Sequence, residues 1–91
     1  MAIHKTPIDY IEIPAPQHSH DAYYRVCYGE VDWNEDGNTE SAIYVLMRYG
    51  KDIKYRRVAH ILTTPNKANE LSDLDKVLTA IQKLKTKHAI Y

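Results

Sequence analysis

The chain has 91 residues, and its 12 basic and 12 acidic side chains leave no net charge. That neutrality argues against strong non-specific attraction to nucleic acid or anionic lipid. A single cysteine, Cys27, excludes an internal disulfide, and no stretch approaches the roughly 18–20 apolar residues of a membrane span.

The opening residues, MAIHKTPIDY, hold no apolar run of signal-peptide type. A single domain over residues 1–91, cytoplasmic, is the expectation. Ile8 to Ile13 reads as a short strand between Pro7 and Pro14. Proline cannot donate to a ladder, so this strand belongs at a sheet edge. Residues 14–21, PAPQHSHD, read as a loop. Three strands rich in Tyr, Val and Ile follow, from Ala22 to Trp33, Ser41 to Tyr49 and Ile53 to Leu62. Asp36-Gly37 and Gly50-Lys51-Asp52 are the turn signals between them. Then the period changes. Leu71, Leu74, Val77, Leu78, Ile81 and Leu84 recur at helical spacing, which predicts a helix over 72–88. Ser72 with Asp75 forms a capping pair at its start, and Lys83, Lys85, Lys87 and His88 suit the dipole at its end. The predicted fold is α+β: an antiparallel meander of about four strands with one C-terminal helix packed on one face.

The segment DWNEDGNTE, residues 32–40, raises the question of a calcium loop. Asp32, Asn34, Asp36 and Gly37 fit the first six positions of an EF-hand, but position 12 is Ile43 in place of a bidentate Glu. Its flanks are strand material rather than helices. Asp-Gly between two such strands is a strong two-residue hairpin signal, so the segment reads as a hairpin tip.

A two-residue turn there places Val26 opposite Met47 and Tyr28 opposite Val45. A three-residue turn at 50–52 places Tyr49 opposite Ile53 and Met47 opposite Tyr55. Side chains alternate along a strand, so one face collects Tyr24, Val26, Tyr28, Ile43, Val45, Met47, Tyr49, Ile53, Tyr55, Ala59 and Ile61. This is the bed for the helix. Arg57 is a misfit on it that a bulge at Arg56-Arg57 would re-aim. The other face collects Tyr23, Arg25, Cys27, Val31, Trp33, Tyr44, Leu46, Arg48, Lys54, Arg56, Val58, His60 and Leu62. It is basic at one end, where Arg25, Arg48 and Lys54 sit side by side, and aromatic and aliphatic at the other. Like charges on neighbouring strands repel, so an anionic group from this chain or another should lie among them. One helix cannot cover both faces, and the exposed apolar side chains of the second mark a binding surface.

Other constellations are weaker. His18, His20 and Asp21 fall short of a zinc set. Glu30 and His60 fall on opposite faces by the count above, and Cys27 has no base beside it, so no catalytic set assembles. The expectation is a non-enzymatic protein-binding module without metal or cofactor and without a membrane role. It docks an acidic partner, or a second copy in a homodimer, through Arg25, Trp33, Tyr44, Arg48, Lys54 and Arg56. The alternative is single-stranded nucleic-acid binding by the same face, where cations follow the backbone and rings stack on bases. Four strands followed by a helix resembles the layout of single-strand binders whose sheet cradles the nucleic acid. The glycine-lysine hairpin motif of that family is absent from this sequence.

Overall fold

Alternating apolar residues and proline or glycine punctuation produce four strands, and helical periodicity produces one helix. The computed structural model describes residues 6–32, 34–55, 58–65 and 67–90. The elements run β1 (Asp9–Pro14), β2 (Ala22–Val31), β3 (Glu40–Tyr49), β4 (Asp52–Lys54) and α1 (Asp73–Lys87). The strands form one antiparallel sheet in the order β1-β2-β3-β4. The fold is α+β, with β1 at an edge.

The β2–β3 hairpin forms, but not through a two-residue turn. Val26 faces Val45 and Tyr28 faces Ile43, each partner two residues earlier than a tight Asp36-Gly37 turn predicts. The reason is Asp32. Its fully buried carboxylate accepts the N–H groups of Asp36 (3.0 Å) and Gly37 (2.8 Å), so the connection from Asp32 to Thr39 folds around it. Glu35 (φ 53) and Gly37 (φ 88) take the left-handed positions. A shift of two preserves the side on which every β2 and β3 residue lies, so the sorting of these strands survives the wrong register.

The β3–β4 turn departs by one residue, and one residue is enough to invert a strand. Tyr49 pairs with Asp52, and Met47 with Lys54, leaving Gly50-Lys51 as a two-residue turn. Gly50 has φ 58, at the position where a type II′ turn takes glycine. Its N–H donates to the Asp21 carbonyl (3.0 Å), and a Cβ there would meet Asp21 Oδ2 at 3.1 Å. Gly50→Ala is therefore expected to lower stability by about 1–2 kcal/mol. Urea denaturation checks this, and an unchanged midpoint would mean that the turn is not held left-handed.

Among the described residues, only Asp52–Lys54 forms strand β4, where the sequence predicts strand from Ile53 to Leu62. Beyond it, Ala59 and Ile61 still pack on the core, but as irregular chain. That stretch bonds to a side chain and to the helix instead of to β3. His60 and Leu62 meet the Tyr24 hydroxyl, and the Leu62 carbonyl accepts from Leu74 N–H (3.0 Å). The proposed bulge at Arg56-Arg57 lies outside the described residues.

The helix lies over β1 and β2. Its buried stripe is Val77, Ala80 and Leu84, set on Ile13, Tyr24, Val26 and Met47. Burying each large aliphatic side chain contributes roughly 1.5–3 kcal/mol. Leu71 and Leu78, expected in the stripe, are more than half exposed. Ser72 caps the helix by accepting from Asp75 N–H (3.1 Å). At the other end, Asp9 of β1 holds Lys87 (2.9 Å) and His88 (3.0 Å). The hydrogen bonds from Lys87 and then His88 hold the Asp9 carboxyl down to about 2.

Candidate interaction face

The face away from the helix carries Tyr10 and Glu12 of β1, Tyr23, Arg25 and Cys27 of β2, and Tyr44, Leu46 and Arg48 of β3. These residues alternate with the core set in both strand pairings. Arg25 and Arg48 thus lie on the side the sequence predicts. The anionic group expected between them comes from this chain: it is Glu12. Arg25 Nη1 donates to Glu12 Oε2 at 3.1 Å, and Arg48 Nε donates to the same oxygen at 2.6 Å. Arg48 Nη2 donates to Oε1 at 3.2 Å, so the Arg48 contact is two-pronged and directional. Arg48 Nη1 also donates to the Gly50 carbonyl, fastening the β3 end to the turn.

Each guanidinium has a ring beneath it. The Arg25 carbon lies 3.7 Å from the Tyr10 ring centroid, and that of Arg48 lies 4.2 Å from Tyr23. These are close cation–π contacts. Burial pushes the Glu12 carboxyl up, but the bonds from Arg48 and Arg25 outweigh it and hold it below the usual carboxylate value. The same bonds raise both guanidinium groups above theirs, overcoming desolvation at Arg25. The group is an Arg–Glu–Arg triad with one surplus positive charge.

The remaining predicted residues are distributed differently. Tyr44 shares this face and is half-buried beside Cys27, and burial raises its phenol above the ordinary value. Lys54 does not join the arginines. The inverted β4 pairs it with Met47, on the helix side of the sheet, and its ion pair is with Asp52 at 4.0 Å. Ile53 takes the place expected for Lys54, opposite Arg48. Trp33 and Arg56 lie outside the described residues. Glu12 and Tyr10 are the members that the sequence reading missed, while Tyr23 lies on the face where alternation places it. The signal was available: Tyr10 and Glu12 alternate with Ile11 and Ile13 in IDYIEI, and the β1–β2 register sets Glu12 directly opposite Arg25.

Cys27 is fully buried and burial pushes its thiol up, which leaves it a poor nucleophile. His18 is engaged elsewhere. Its Nε2 lies 2.8 Å from the His60 carbonyl and 3.1 Å from the Tyr24 hydroxyl. A carbonyl only accepts, so this nitrogen carries the proton. Among the described residues, no three His, Cys, Asp or Glu side chains group as a metal site, and no helix is long and apolar enough to cross a membrane.

The chain matches no protein-family model, no curated protein and no solved structure. The functional reading therefore rests on the geometry of these side chains.

Proposed function

We propose that the protein is a non-enzymatic protein-binding module that meets its partner through the sheet face opposite the helix. The observation carrying this reading is the Arg25–Glu12–Arg48 triad framed by Tyr10 and Tyr23. Tyr10, beneath Arg25, is 46% exposed, and Ile8, two residues before it, is 58% exposed. Arginine and tyrosine held in fixed geometry are the side chains that dominate protein interfaces. Both guanidinium groups are pre-positioned, so little side-chain entropy is lost on binding. The surplus positive charge favours an acidic partner, and a second copy offering residues 30–40, where Glu30, Glu35, Asp36 and Glu40 are exposed, meets that description.

The triad also weighs against the nucleic-acid alternative. Phosphate binding scales with the number of cations that replace counterions along the strand, and the triad offers one surplus charge. The test compares partner capture by the native chain and by an Ile8→Asp/Tyr10→Asp variant. Both side chains are exposed, so the variant is expected to fold. Loss of a captured partner, or of a dimer seen by light scattering, supports the proposal. Undiminished capture assigns binding to another surface. Oligonucleotide binding that falls steeply with salt would replace the proposal with the nucleic-acid reading.

A further inference from the structure

A second surface, separate from the triad face, lies where α1 runs beside the edge of the sheet. Among the described residues, β1 pairs only with β2. The Ala15 N–H donates to the Ala22 carbonyl at 2.8 Å, which sets the phase of the ladder. Hydrogen-bonded pairs alternate along antiparallel strands. Ile11 and Ile13 therefore turn their backbone groups toward β2, while those of Tyr10, Glu12 and Pro14 turn outward; the alternation ends at Tyr28, whose carbonyl accepts from Ile8 N–H at 2.8 Å. The Tyr10 N–H is taken by the Asp9 carboxylate at 2.8 Å, and Pro14 has none. What remains on the edge is the N–H and C=O pair of Glu12 between the carbonyls of Tyr10 and Pro14. Among the described residues, no strand lies beside it.

That edge borders a groove of about 230 Å³, below the roughly 300–1,000 Å³ of small-molecule sites and sized for individual side chains. Its apolar wall is Ile11, Ile13, Ala80 and the 59%-exposed Leu71. On the helix side it is flanked by Lys76 and Lys83. Among the described residues neither lysine makes an ion pair. The Glu12 carboxylate does not oppose them, because the two arginines hold it on the other face.

We propose that this groove binds an extended peptide of the pattern acidic–x–apolar–x–acidic, which adds to the free edge of β1 as a fifth strand. The backbone of Glu12 supplies the pairing, as in strand addition generally. The central apolar side chain enters the groove against Ile11 and Leu71. Lys76 and Lys83 stand about 10 Å apart along the helix. Acidic residues two positions either side of the centre span about 13–14 Å in a strand, within reach of the flexible lysine stems.

The test titrates isotope-labelled chain with the capped peptide Ser-Glu-Thr-Leu-Thr-Glu-Ser and follows amide resonances. Saturating shifts are expected at Glu12 and along Ile11, Ile13 and Ala80. A peptide with lysines in place of its glutamates, and a Lys76→Glu/Lys83→Glu chain with the original peptide, should each bind about ten-fold more weakly or worse. Backbone N-methylation of alternate peptide residues should abolish binding in one register and spare it in the other. Shifts confined to Tyr23 and Arg48, equal binding of both peptides, or no saturation up to about 1 mM would overturn the site. So would a dimer whose Glu12 amide is already protected without peptide, since a second copy would then own the edge. The Lys76→Glu/Lys83→Glu chain is expected to retain capture through the triad face, so the two surfaces are read separately.

Discussion

Tyr24→Phe is expected to lower stability by roughly 3 kcal/mol without changing the packing of the ring. The Tyr24 hydroxyl is the junction of four segments. It donates to the Asp73 carboxylate at 2.6 Å and accepts from Leu62 N–H at 3.3 Å. His18 Nε2 lies 3.1 Å from it. Tyr24 is fully buried and Asp73 is 3% exposed. Removing the hydroxyl strands a buried carboxylate and a partly buried amide, whose desolvation is no longer offset. It also removes the tie between the 58–62 stretch and β2, leaving Ala59 and Ile61 packed on the core and the Leu74–Leu62 bond to hold it. In a domain of this size the midpoint of thermal unfolding should fall by more than about 10 °C. A cycle with Asp73→Asn separates the pair from its surroundings.

A pH signature accompanies the prediction. Burial, followed by the Asp73 bond, pushes the phenol up to about 12 from its ordinary 10.0. A raised folded value means that the contribution is complete below 10 and is lost as pH rises through about 12. The Phe variant should lack that alkaline step. A midpoint within about 2 °C of the native chain, or an unchanged alkaline limb, would show that the hydroxyl does not join these segments.

Glu12→Gln is expected to move stability and binding in opposite directions. The substitution keeps the shape but removes the charge that holds two guanidinium groups on neighbouring strands. Three charge-assisted contacts weaken together. Their solvent access, with the Glu12 side chain 24% exposed, discounts the loss to about 1–2 kcal/mol. Both arginines then face outward without a counter-ion, so affinity for an acidic partner should rise. The carboxyl is held below its ordinary 4.5 in the folded chain. Its contribution is therefore present above that value and is lost as pH falls through the lower, folded one. The stability gap between the native chain and the Glu12→Gln variant should accordingly close in acid. Urea titrations at neutral and acid pH, with partner capture alongside, measure all three effects. Equal stability at neutral pH would show the triad to be a surface coincidence.

The order of elements could be read from residues alone because each signal is local. Proline fences β1, the Tyr/Val/Ile runs make β2 and β3, and Ser72 with Asp75 starts a helix whose cations gather at its end. The sorting of β2 and β3 into two faces was equally legible. It depends only on parity, and the register error of two residues leaves parity intact.

What needed the tertiary structure was everything decided by an odd residue or by a distant one. The Gly50 turn is shorter than expected by one, and that single residue carried Lys54 away from the arginines and put Ile53 in its place. The buried Asp32 sets the length of the β2–β3 connection through bonds to amides that no pattern of apolar residues announces. Glu12 meets Arg48 across 36 positions of sequence, and Tyr24 meets Asp73 across 49. Alternation assigns a side chain to a face, but which partner it finds there depends on register and on how the chain returns. Those are properties of the assembled sheet and helix.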